Sequence, residues 1–279
     1  KMSKGNRPEP YPCIGRRAKD LLTKGYSFDH KFTLLIPNYT GTGLTISGSK
    51  KDHFFIGDIC ALYKSGNTTV EVKVDTHSNV SSKVSLDNIF SHTKTIVSFR
   101  IPDHKSGKMD VEYCDEHAAI NSSIGLNPSP LLEVQAVIGT KGLSTGGEIG
   151  FDTGSGSLVK YNAGVSFNSP GFSAAVILEE KGQAVRASYY HTVCPDGRTA
   201  VAAEMVHRLS SYENSFAVGS QHAVDGRNVV KGRFWDNGKV GMQWEREWRP
   251  RSRVTFSAEV DTKSVHSAPK LGLAVALVP

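Results

Sequence analysis

The stretch NTTVEVKVDTHSNVSSKVSLD, Asn67 to Asp87, sets valine against charge. Val70, Val72 and Val74 alternate with Glu71, Lys73 and Asp75, so an extended strand carries one valine face and one fully charged face. Something apolar must meet the valines while water meets the charges. The pattern recurs almost without break, in segments of about eight to eleven residues separated by turns such as KSGN, HKSG, GSGS, PDG, VDG and DNG. In SHTKTIVSFRI, Thr95, Val97 and Phe99 oppose Lys94, Ser98 and Arg100; in KMDVEY, Met109, Val111 and Tyr113 oppose Lys108, Asp110 and Glu112. VRASYYH, TAVAAEMVHR, VGMQWEREW and VTFSAEVD follow suit, giving about nineteen segments from Tyr26 onward.

Two architectures absorb so many amphipathic strands. A soluble sandwich or small barrel turns its apolar faces inward and must fill a core with bulky side chains. A membrane barrel inverts this: the apolar face meets lipid, the charged face lines water, and closure leaves no unpaired edge. Composition favours the second. Without glycine 38% of residues are apolar, and the would-be inward set is mostly Val, Ala, Thr and Gly, too small to fill a core of this size. No run reaches the length of a membrane helix and no charged-then-apolar leader opens the chain, but neither observation bears on a barrel, which hides its apolar surface in alternate residues. Tyr189, Trp235, Trp244 and Trp248 near segment ends fit interfacial belts. With no linker or composition shift, the barrel reads as one domain.

YPCIGRRAKDLLTKG breaks the β pattern. Ile14, Ala18, Leu21 and Leu22 fall at helical spacing, with Arg16, Arg17, Lys19 and Asp20 on the remaining faces and Gly25 beyond the end. Periodicity alone leaves three roles open: a cap, a peripheral membrane anchor, or a basic helix that narrows a wide lumen and favours anions. The organisation expected is a tail and helix over 1–25 and a barrel over 26–279.

Catalytic and metal chemistry find no footing. Cys13, Cys60, Cys114 and Cys194 are scattered singly, and no ligand-spaced histidine pair, P-loop or nucleophile elbow appears. TGSGS and GTKGLSTGG read as hairpin turns. The net charge of +6 is spread along the chain, which favours anions in general over a nucleic-acid arm. No cofactor is expected.

IGRRAKDLLTKGYSFDHKFTL resembles the N-terminal signature of the mitochondrial porins, the voltage-dependent anion channels, in their plant form. The resemblance runs through KVDTHSN, HKSGK, ASYYH, QHAVDGRNVVKGRFWDNGKVGMQW, EWRP and VDTKSVHSAPKLGLAVAL, essentially the whole chain. From His222 to Trp244 it is close to the family's signature pattern, departing at Gly226, Asn228 and Trp235. It implies an all-β membrane barrel of nineteen strands, a number that comes with the family and agrees with the segment count. It also implies parallel closure of the first and last strands, an N-terminal helix in the lumen, and residence in the mitochondrial outer membrane. The implied function is voltage-gated passage of small ions and metabolites, ATP, ADP and phosphate among them, without catalysis. Two departures stand out. GYSFD offers only Gly25 where animal relatives have a glycine-rich hinge, and Val72 stands where many of them carry a membrane-facing glutamate.

By alternation, Glu71, Lys73, Asp75, Lys94, Arg100, Lys108, Arg186, Glu204, Lys231 and Arg233 are expected in the lumen, with Asp110, Glu112 and Glu259 as further acids; Val70, Val72 and Val74 face lipid. Arg16, Lys19 and Lys24 match basic family residues that contact passing nucleotides. Lys270, Gly272, Val275 and Leu277 resemble the signal that mitochondrial sorting machinery reads in a final strand. The expected partners are lipid, transported anions and nucleotides, and a homo-oligomer that the residues leave open. The competing reading is a soluble β-rich binding protein, which alkaline carbonate washing would release from membranes.

Overall fold

The structure, a computed structural model, describes residues 8–37, 41–51, 54–103, 105–140, 142–194, 196–264 and 268–279. His104, Lys141 and Pro195 of the expected turns lie outside them, as do 265–267 of the VDTKSVHSAPK match. Among the described residues, nineteen strands form one closed sheet. Consecutive strands pair antiparallel, from β1 (His30–Pro37), β2 (Thr42–Lys51), β3 (Phe54–Ser65), β4 (Thr68–Asp75) and β5 (Val80–Asp87) onward. The last is β19 (Lys270–Leu277), which returns to β1 in parallel, His30 opposite Leu273 and Leu34 opposite Leu277. The parallel seam follows from the odd number: in an up-and-down meander the first and last of nineteen strands run the same way, so closure cannot be antiparallel.

Which face points out is settled by exposure. Phe32, Phe99, Ile149, Val176, Phe216 and Met242 are between 43% and 61% exposed and lie on strands all around the wall. A band of that extent is far beyond what a protein leaves against water, and it is what a lipid-facing wall requires. Val72 lies in this band, opposite Ala61 on β3 and Ser82 on β5. Lys73 points inward, its Nζ 3.2 Å from Asp58. Val72→Arg is therefore expected to cost about 2–4 kcal/mol of barrel stability, whereas Lys73→Ser removes only a half-exposed ion pair worth about 0–1 kcal/mol. Urea titration of both variants in lipid vesicles measures this, and equal destabilisation would exclude the register.

Three expectations need correction. The expected N-terminal helix is present but begins after Ile14: α1 spans Arg16–Thr23, and Gly15, whose φ of 70° lies in the left-handed region, separates it from a 3-10 turn at Tyr11–Cys13. Trp235 belongs to no outer belt; it points inward against the helix's apolar face. In GTKGLSTGG only the first part turns, because Leu143 begins a strand that runs through Gly146 and Gly147 to Asp152. Gly146 has a packing reason to be glycine, since a Cβ there would lie 2.6 Å from the Ala136 carbonyl oxygen.

Candidate functional site

The lumen is shaped by the N-terminal segment, which lies against the inner wall. Ala18, Leu21 and Leu22 of α1 are buried on Ala200 and Ala202 of β14 (Thr199–Arg208) and Ala217 of β15 (Glu213–Asp225), with Tyr190 and Trp235 at the margin. Upstream, Tyr11 and Ile14 are buried against Val137, Ala175 and Ile177. These inward apolar residues were missed by reading alternation alone. Their signal is visible in hindsight: TAVAAEMV is apolar on both faces, which a wall strand between lipid and water has no reason to be unless something covers its inner side.

The chain after α1 is clamped. Arg233, on β16 (Asn228–Trp235), donates from Nη1 to the Leu22 carbonyl oxygen at 2.9 Å and from Nη2 to Glu259 Oε2 at 2.8 Å. Its guanidinium lies 4.0 Å from the centre of the Tyr26 ring. The Arg233 and Glu259 side chains are each only 10% exposed. Lys231 Nζ reaches the Lys24 carbonyl oxygen at 3.5 Å, and Ser257 Oγ donates to the Ser27 carbonyl oxygen. Gly25 and Gly272 make the close approach feasible. Gly25 holds φ 93° against Gln243, and a Cβ on Gly272 would run into the Ser27 carbonyl oxygen. Gly272 thus has a packing role whatever else it signals.

Burial pushes the Tyr26 phenol up to about 12, against the opposing pull of Arg233, and pushes Tyr11 up to about 12 with help from Glu148 and Glu179. A raised pKa means the docked segment holds the neutral phenol, so this contribution is complete below the ordinary value of 10 and is lost as pH rises from there toward about 12. Undocking should show as a change in Trp235 fluorescence over that window, and Tyr26→Phe should move the change to higher pH. An identical transition in both proteins would remove Tyr26 from the account.

The charged side chains expected in the lumen point to the inner face, where most are paired within the wall. Lys94 is 4.0 Å from Asp87. Lys108 is 3.3 Å from Asp110 and 3.7 Å from Glu133. Arg186 bridges Glu179 at 2.9 Å and Glu204 at 3.2 Å. Glu71 accepts from Cys60 Sγ at 3.4 Å, while Asp75 caps its own turn through the amides of His77 and Asn79. On the helix, Arg16 is 3.6 Å from Asp20 and largely exposed. Lys19 and Lys24 are exposed, and among the described residues neither they nor Arg100 has a carboxylate within ion-pair distance. Val70, Val72 and Val74 share the outer face. On β19, Lys270 and Gly272 point inward opposite Glu259 and Ser257, whereas Val275 and Leu277 point outward opposite Phe32 and Leu34 of β1.

A closed barrel lined with paired charge and narrowed by a basic helix is a conduit, with no cluster of metal-binding side chains among the described residues. A family model described as eukaryotic porin matches residues 7–272. The chain is 57% identical to mitochondrial outer membrane protein porin 4 of Arabidopsis thaliana over 275 residues, covering 99% of this chain and 100% of that one. It is 50% identical to mitochondrial outer membrane protein porin 6 of Oryza sativa subsp. japonica and 45% identical to the 36 kDa mitochondrial outer membrane porin of Solanum tuberosum, each over 278 residues and the full length of both chains. The wall, the seam and these likenesses agree, and the chain belongs to the eukaryotic porin family.

Proposed function

We propose that this porin is a voltage-gated, weakly anion-selective channel of the mitochondrial outer membrane, with a gating and selectivity unit at 1–25 and a transmembrane wall at 26–279. The observation that carries the selectivity is the imbalance of pairing. Much of the wall's charge is neutralised locally, while Lys19 on the helix and Lys24 at its C-terminal cap stand exposed with no carboxylate partner among the described residues, and Arg16, more than half exposed, is held only by Asp20 at 3.6 Å. Unpaired cations project a field into the lumen, whereas a carboxylate a few ångströms away cancels most of it. Small anions, phosphate, ADP and ATP are drawn in by charges too dispersed to trap them, which is the condition for conduction. Catalysis plays no part. Lipid and transported anions are the partners, and self-association in the membrane belongs to the same proposal. Lys270, Gly272, Val275 and Leu277 are proposed as the sorting signal.

Voltage dependence follows from the charge on the docked segment. One elementary charge crossing 100 mV gains about 2.3 kcal/mol, so displacing two or three net charges through much of the field supplies several kcal/mol. A high-conductance state is expected near zero voltage, with lower-conductance, less anion-selective states at both polarities. Planar-bilayer recording tests this: an ohmic pore of constant conductance would refute gating and leave the barrel intact.

A further inference from the structure

Strand β17 (Lys239–Arg249) leaves the wall through the run REWRPRSR, Arg246 to Arg253. Its acids are already engaged. Glu245 is 3.2 Å from Arg253, and Glu247 accepts the Arg251 amide at 2.8 Å. Arg246 is different. It stands on the outer, lipid-facing side between Trp244 and Trp248, and it is exposed. Among the described residues no carboxylate lies within ion-pair distance of it. With Trp244, Trp248, Val254 and Phe256 it lines a recess of 330 Å³ open to the membrane side. The Trp244 and Phe256 rings stack at 5.5 Å and 15°, and Trp248, 65% exposed, carries the Arg249 guanidinium 5.7 Å from its ring centre.

Depth decides what meets Arg246. It lies three residues before the end of β17 at Arg249, roughly 7 Å below the rim for a strand rising about 3.3 Å per residue at about 45°. That is the level of lipid headgroups, where aromatic side chains anchor barrels. A guanidinium on a lipid-facing wall needs an anion there, and a phosphate matches its fork geometry.

We propose that this recess is a binding site for an anionic phospholipid, its phosphate on Arg246 and one acyl chain laid along Trp244, Val254 and Phe256. Arg249 and Arg251 at the adjoining turn, and Arg227, whose carbonyl accepts the Glu247 amide at 2.8 Å, add positive charge at the rim. Exposed to solvent, they are screened and act weakly; it is Arg246, held against the lipid, that favours a headgroup with net negative charge over a zwitterionic one, whose ammonium offsets its own phosphate. The proposal rests on membrane embedding and is independent of gating.

The test uses the full-length protein in phosphatidylcholine vesicles containing a trace of brominated lipid, which quenches tryptophan on contact. Trp244 and Trp248 line the site, while Trp235 faces the lumen as an unquenched background. Brominated phosphatidylglycerol should associate about fivefold more strongly than brominated phosphatidylcholine, the preference expected when one basic residue meets an anionic headgroup. Arg246→Gln should bring the ratio near one, and Arg246→Lys should fall between. Equal quenching by the two lipids in the unaltered protein overturns the proposal without relying on any variant. So does a preference that survives Arg246→Gln, and millimolar inorganic phosphate abolishing the preference would assign the site to a free anion instead.

Discussion

Arg233→Met is expected to destabilise the barrel by about 3 kcal/mol and to loosen the N-terminal helix from the wall. The substitution keeps much of the aliphatic bulk but leaves Glu259, whose side chain is only 10% exposed, without its cation. Removing one partner of a buried pair costs about 3–5 kcal/mol, because the remaining charge stays desolvated, and a neighbouring water-filled lumen places the cost at the lower end. The same change deletes the hydrogen bond to the Leu22 carbonyl and the cation above Tyr26. Both hold the exit of α1, so the segment loses its anchor at the point where it must bend to move. Glu259→Gln in the Arg233→Met background should recover most of the stability and none of the docking. That separates the desolvated charge from the latch, which no single substitution can do. Urea titration reads the first effect. Trp235 fluorescence and the voltage at which conductance falls read the second, with closure expected at lower voltage. Unchanged stability and unchanged gating would mean that Arg233 holds nothing.

The strands and the side each residue faces were legible because a barrel between water and lipid imposes opposite chemistry on alternate residues; β4 shows this without ambiguity. The parallel seam needed the strand count as well. Pairing across strands was another matter. Glu259 was recognised as a lumen acid and Arg233 as a lumen base, yet that they meet across β17 depends on how far neighbouring strands are staggered, which alternation does not encode. Trp235 misled for a different reason. At a strand end an aromatic suits either an outer belt or an inner platform, but Trp235 keeps step with the inward Lys231 and Arg233 on β16, and there it meets the helix that lies on Ala200, Ala202 and Ala217. The break at Gly15 was hidden by apolar spacing that continues through it, since Ile14 and Ala18 are buried on separate patches of the wall.

Replacing Arg16, Lys19 and Lys24 together with glutamate should turn the pore from mildly anion-selective to cation-selective. Each substitution changes the local charge by two units, so the set formally cancels the chain's net charge of +6. What matters is where the change falls. In water a unit charge about 8 Å from a passing ion acts with about 0.5 kcal/mol, and physiological salt reduces this to roughly a third. Six units then shift an anion by about 1 kcal/mol upward and a cation by as much downward, which moves the anion-to-cation permeability ratio by on the order of tenfold or more. The wall cannot compensate, because Lys108 and Arg186 are already committed to Asp110, Glu133, Glu179 and Glu204. The buried face of the helix is untouched, as Ala18, Leu21 and Leu22 carry the docking, so the fold should survive the change. The matched control removes a paired wall cation, Lys108→Ser, and should shift the ratio far less. Reversal potentials in a salt gradient measure both, and their dependence on ionic strength tests the cause: a field effect weakens as salt rises. If the triple variant keeps the original reversal potential, the helix cations lie outside the path that ions take, and selectivity belongs to the wall.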